Sequence, residues 1–140
     1  MMMERKIKFA VIGCGHIGKR HAEMVHRNEE SELVAICDIL PAKTLGVDYL
    51  DVNYFTDAKD LFDANLDIYV IWICTPNGLH TTHALMTLNA GKHVVLETPI
   101  AITKSDSEKI IFKSLQDHRQ FFAVIQIRFS PPSVLINRVF

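Results

Sequence analysis

Val11-Ile12-Gly13-Cys14-Gly15-His16-Ile17-Gly18 is the stretch that decides how this chain folds. Three glycines spaced G-x-G-x-x-G follow an apolar run, Ile7 to Ile12, and precede a segment with helical patterning. That order predicts a strand turning tightly into a helix. Gly13 permits the turn, Gly15 lets a ligand approach the backbone, and Gly18 lets helix and strand pack closely. His16 and Ile17 complete the loop and are counted with the three glycines as cofactor-binding residues. The helix start beyond it offers unpaired N–H groups and the positive end of the helix dipole, a ready site for phosphate. A tight turn with no ligand is the plain alternative.

Working outward, Leu33 to Cys37 reads as a second strand, ended by Asp38, which stands 20 residues after Gly18. An acid there is placed for the adenosine ribose hydroxyls of a dinucleotide. Asp38 would repel a 2′-phosphate, and Ile39-Leu40 supply no arginine to bind one, so NAD is preferred over NADP. A solvated acid at a strand end is the other reading of Asp38. A short third strand is expected at Val52 and Tyr54-Phe55, and a helix capped by Thr56 with Leu61 and Phe62 inward. Ile68 to Cys74 is nearly all apolar, as a strand covered on both faces must be. Leu79 to Asn89 is helical in pattern, with Gly91 as its stop. His93 to Leu96 is a fifth strand. A helix capped by Thr103 or Ser105 runs to about His118 with Ile110, Ile111 and Leu115 on one face, and Phe121 to Ile127 is a sixth strand. The alternation gives an α/β fold, a Rossmann-type doubly wound parallel sheet.

The chain has 140 residues, 49% of them hydrophobic, enough for one domain with a core. The formal net charge is −1 with neither sign clustered, so no nucleic acid or anionic membrane is expected as partner. Cys14, Cys37 and Cys74 form no C-x-x-C pair, and no metal site or disulfide is expected. Reduced, buried thiols and the lack of a long apolar segment predict a cytoplasmic protein. His83, His93 and His118 are read as structural and Trp72 as core.

Thr75-Pro76-Asn77-Gly78-Leu79-His80, Ala84-Leu85, Ala90-Gly91-Lys92-His93-Val94 and Glu97-Thr98-Pro99-Ile100-Ala101, together with the glycine turn, resemble the N-terminal domain of the Gfo/Idh/MocA oxidoreductases. The resemblance implies an NAD(P)-binding domain over residues 1–121. Residues 122–140 are then the last strand and the start of a truncated second domain, which in the family carries much of the substrate site and the oligomer interface. It implies an NAD-dependent oxidoreductase acting on a sugar, nucleotide-sugar or polyol hydroxyl, and a homo-oligomer at full length. Residues 126–131 are similar to members acting on nucleotide-linked sugars, such as UDP-N-acetylglucosaminuronate 3-dehydrogenases. Thr75, Pro76, Asn77 and His80 would lie along the nicotinamide ribose, a placement that strand-end geometry also favours. A helix-start histidine making a local hydrogen bond is the alternative for His80. Glu97 ends the fifth strand on the same side. Thr98 departs from the family: it stands where the catalytic lysine is expected and brings no cation. This chain is therefore expected to bind NAD without turnover. The other readings are a non-catalytic NAD-binding or redox-sensing module, and a domain for another adenine-containing ligand. A truncation also predicts apolar surface around Phe121, Phe129 and residues 134–140.

Overall fold

A computed structural model describes residues 5–125. Six strands alternate with helices: β1 (Ile7–Ile12), α1 (His16–Arg27), β2 (Ser31–Cys37), α2 (Ala42–Leu45), β3 (Asn53–Phe55), α3 (Ala58–Asp63), β4 (Val70–Ile73), α4 (His80–Asn89), β5 (His93–Glu97), α5 (Lys104–Gln116) and β6 (Phe121–Val124). Single 3-10 turns cover Asp48–Leu50 and Asn77–Leu79. All pairs are parallel, in the order β3-β2-β1-β4-β5-β6. The doubly wound sheet expected from the sequence is therefore the fold. Its order reverses between β1 and β4, the switch point beside whose carboxyl strand ends open α/β sheets form their ligand crevice.

Two apolar layers follow from this sheet. Ile12, Ile71, Ile73, Leu88, Leu96 and Ile110 are among the buried side chains of one layer. Val11, Ala22, Val25, Leu33 and Ile36 belong to the other, under α1. β1, β4 and β5 contribute to burial on both faces, which is why they read as continuous apolar runs.

Several expected details change. The buried stripe of α1 is Gly18, Ala22 and Val25, while Met24 points out, 54% exposed. Asp57, not Thr56, caps α3, its carboxylate accepting from the Lys59 N–H at 2.8 Å. That local turn starts the helix one residue later. Thr103 caps α5 by accepting from the Asp106 N–H at 3.1 Å. α5 buries Ile110 and Ser114, while Ile111 and Leu115 are exposed. The inward stripe thus steps by four from Ile110, and two apolar residues that share its spacing miss it. Phe121 packs against the core, whereas Phe122 and Ile125 are exposed, so the apolar surface expected at Phe121 lies one residue further on. β6 ends at Val124. The expectations for 126–131, Phe129 and 134–140 lie outside the described residues.

Among the described residues no helix is long and apolar enough to cross a membrane. Ile71, 1% exposed in a central strand, tests the packing. Ile71→Ala should cost about 2–5 kcal/mol in urea-induced unfolding, because the site cannot collapse around the missing atoms.

Candidate dinucleotide site

The glycine turn is held by backbone contacts that leave no room for side chains at two positions. Gly13 has φ +86°, and a Cβ there would come within 2.7 Å of the Cys74 carbonyl carbon and Thr75 nitrogen. A Cβ at Gly18 would fall inside the Gly13 carbonyl oxygen. Gly15 differs: a Cβ would meet nothing within 4 Å. Gly15 also caps α1 without a side chain, and the first turn of α1 carries no acid. No side chain at the N-cap and no acid in the first turn therefore compete for the first N–H groups of α1, as a phosphate ligand requires.

Asp38 is fixed against this turn. Cys14 N–H donates to its Oδ2 at 2.7 Å and Leu40 N–H to its Oδ1 at 2.9 Å. Carboxylate oxygens accept more than one bond each, so both retain capacity toward ribose hydroxyls. Gly13 N–H donates to the Cys37 carbonyl and Cys74 N–H to the Ile12 carbonyl, which brings the ends of β1, β2 and β4 together.

On the far side of the crevice the loops after β4 and β5 are tied by His80. The ring is 1% exposed. Nδ1 lies 2.7 Å from the Pro99 carbonyl oxygen and Nε2 2.8 Å from that of Thr75. Carbonyls only accept, so a neutral ring donates to one and a protonated ring to both. Of the two readings of His80, these contacts match the helix-start histidine bonded to its own chain: its polar atoms are enclosed and spent on backbone carbonyls. Thr75 is half-buried with its hydroxyl 3.0 Å from His83 Nδ1, and Pro76 and Asn77 are exposed at the strand end. The Thr98 hydroxyl donates to the Val124 carbonyl at 3.0 Å, joining the ends of β5 and β6. At the position of the family lysine, the hydroxyl is therefore engaged with backbone.

One cluster has no counterpart in the sequence reading. His21 Nε2 lies 2.6 Å from Glu97 Oε1, with both side chains nearly buried. The His21 ring stacks on Trp72, centroids 4.1 Å apart at 19°. The available signal was spacing: three residues after Gly18, a side chain on α1 stands beside the buried stripe. Cys74 brings the set to three metal-ligand types within 4.8 Å of one another. A tetrahedral ion with bonds of about 2.0–2.3 Å holds its ligands more than about 3 Å apart. The 2.6 Å separation of Nε2 and Oε1 is instead that of a hydrogen bond.

The thiols are held in their protonated form. Burial, then the Asp38 carboxylate, pushes the Cys14 thiol up to about 12, and burial does the same for Cys37. Burial, then Glu97, raises Cys74 further. Protonated thiols are poor nucleophiles. Two concavities, about 380 Å³ beside Arg5 and Glu29 and about 320 Å³ beside Tyr69 and His93, adjoin the opposite ends of the strands. They contain none of the residues above; ligands of open α/β sheets bind at the carboxyl ends.

Residues 7–124 match the Gfo/Idh/MocA oxidoreductase family, described by its NAD-binding Rossmann fold. The chain belongs to this family. It is 32% identical over 112 residues to D-glucoside 3-dehydrogenase of Escherichia coli K12, covering 78% of this chain and 32% of that protein. The WlbA dehydrogenase of Bordetella pertussis, solved with NADH and UDP-GlcNAcA, superposes with a TM-score of 0.87 at 30% identity, covering 96% of this chain and 42% of that one. Scyllo-inositol dehydrogenase of Lactobacillus casei, solved with NAD(H) and scyllo-inositol, gives 0.86 at 27% identity, covering 96% and 41%. The chain thus spans about a third of the length of the curated relatives it matches. It carries the NAD-binding Rossmann domain of the Gfo/Idh/MocA family, whose members here act on sugars, polyols and nucleotide sugars.

The turn makes a paired prediction. Gly18→Ala should lower the thermal midpoint steeply, because backbone must move, while Gly15→Ala should cost less than about 1 kcal/mol. Thermal unfolding of both variants checks it, and equal losses would contradict the geometry.

Histidine protonation makes another. His83 titrates below the usual 6.5 through burial and then the nearby His80, and His93 through burial and then Arg119. Unfolding raises both values, so their contribution is complete above pH 6.5 and is lost as pH falls below it. His83→Gln should flatten the stability profile between pH 7 and 5, as followed by urea unfolding.

Proposed function

We propose that this chain holds NAD across the crevice between β1 and β4 and presents it for oxidation of a sugar, nucleotide-sugar or polyol hydroxyl. The supporting observation is the glycine turn: open at Gly15, closed at Gly13 and Gly18, and braced by Asp38. When bound, the nicotinamide ring supplies the hydride acceptor or donor. The backbone at Gly13 to Gly18 and the first turn of α1 hold the pyrophosphate. Asp38 accepts from the adenosine ribose and disfavours a 2′-phosphate, so NAD is taken over NADP. Thr75, Pro76 and Asn77 border the nicotinamide ribose at the end of β4, and Glu97 borders that half at the end of β5. His80 serves here as a brace, fixing the Thr75 and Pro99 carbonyls so that the loops keep their places.

The names of the relatives support the substrate class: a glucoside, inositols and a nucleotide-linked sugar acid. Most of each relative lies outside the matched region, and substrate recognition is assigned to a further part of the whole protein.

Thr98 favours a second reading, an NAD-binding module without turnover. Its hydroxyl carries no charge at neutral pH and is engaged with Val124. General acid–base help is typically worth ~10²–10⁴-fold, so a protein lacking it should be correspondingly slow. Thr98→Lys in the whole protein, assayed for gained dehydrogenase activity, separates the two readings.

Calorimetric titration tests binding. NAD should bind, NADP more weakly, and Gly15→Ala should lose NAD affinity while remaining folded, because its methyl occupies the approach to the backbone. Failure of NAD to bind at millimolar concentration would overturn both readings.

A further inference from the structure

The sheet divides a dinucleotide between two halves. β1, β2 and β3 carry the adenosine side, marked by Asp38, and β4, β5 and β6 carry the other. Glu97, the last residue of β5, belongs to the second half. His21 does not: it sits on α1, the helix whose start faces the pyrophosphate. The 2.6 Å contact between them therefore crosses from one half of the site to the other.

Three features make this contact rigid. Both side chains are nearly buried, 12% and 11% exposed, so water competes little for the bond. An ionised carboxylate only accepts, which assigns the shared proton to His21 Nε2 and makes the bond charge-assisted. Stacking on Trp72 fixes the ring plane, and Trp72 belongs to β4, so α1, β4 and β5 are joined through one imidazole. His21 Nδ1 finds no hydrogen-bond partner among the described residues. The ring thus makes its one polar bond to Glu97, and that bond is among the contacts that orient the carboxylate.

We infer that His21 is a positioning residue for the nicotinamide half of the site: by holding Glu97 from α1, it helps orient the carboxylate beside which the nicotinamide ring docks. The inference rests on the NAD reading above. It assigns His21 no contact with the reacting atoms.

The test compares two ligands that share everything except the nicotinamide group. NADH and ADP-ribose are titrated calorimetrically into the 140-residue chain and its His21→Leu and His21→Gln variants. Loss of the donor in His21→Leu should weaken NADH about tenfold. ADP-ribose affinity should stay within about twofold, since the pyrophosphate and adenosine contacts remain. Glutamine places a side-chain N–H near the position of Nε2, so His21→Gln should restore most of the NADH affinity. Equal losses for both ligands would reveal only a structural helix residue and overturn the proposal, as would unchanged NADH affinity or no recovery in His21→Gln. If His21→Leu does not fold, His21→Phe, which keeps the stacking on Trp72 but brings no donor, replaces it, with the same selective loss expected and equal losses again overturning the inference. The NAD reading fails separately, by wild-type chain binding neither ligand.

Discussion

The structure depends on how closely β1 and α1 approach at the glycine turn. The Gly13 carbonyl occupies the space where a side chain at position 18 would stand, and the backbone of Cys74 and Thr75 occupies the space beside Gly13. A strand, the helix that follows it and the end of a neighbouring strand thereby meet through backbone alone. Repulsion at these distances is steep, so the geometry is insensitive to the surrounding side chains. The Cys14 N–H can then be aimed at Asp38 and the first turn of α1 at the crevice. Those two directions define the dinucleotide site.

Beyond the turn, the strand ends are held by hydrogen bonds from side chains to carbonyls. His80 spans Thr75 and Pro99, and Thr98 reaches Val124. Residues that a motif would assign to ligand contact are thus used to hold the loops that make contact. Each of these bonds is worth only about 1 kcal/mol toward stability. Their larger effect is to reduce the number of arrangements the loops can take, which lowers the ordering cost when a ligand binds. Glu97 shows the same economy from the other side: a buried carboxylate bonded from a different element.

Sequence periodicity carried the fold well, because strands buried on both faces and a glycine turn leave strong local marks. Asp38 was found because its distance from Gly18 reflects the length of one helix and one strand. The reading weakened where burial depends on neighbours distant in sequence. Ile111 and Leu115 look as apolar as Ile110, and only the placement of α4 decides which of them is covered. His80 opens α4, and no local pattern shows that both its nitrogens meet carbonyls 5 and 19 residues away. His21 was missed for the same reason, since Glu97 lies 76 residues further along.

The central position of β1 has a consequence for how the chain comes to be made. β1 pairs with β2 and also with β4, so Phe9 faces Val70 across the sheet. During synthesis the first three strands are complete while one edge of β1 still lacks its neighbour. Until Ile73 has left the ribosome, that edge presents unpaired N–H and carbonyl groups beside the apolar face formed by Ala10 and Ile12. The nascent chain must cross this interval half-covered. The same long-range pairing that places the switch point between β1 and β4 leaves the growing polypeptide with an exposed strand edge until β4 is made.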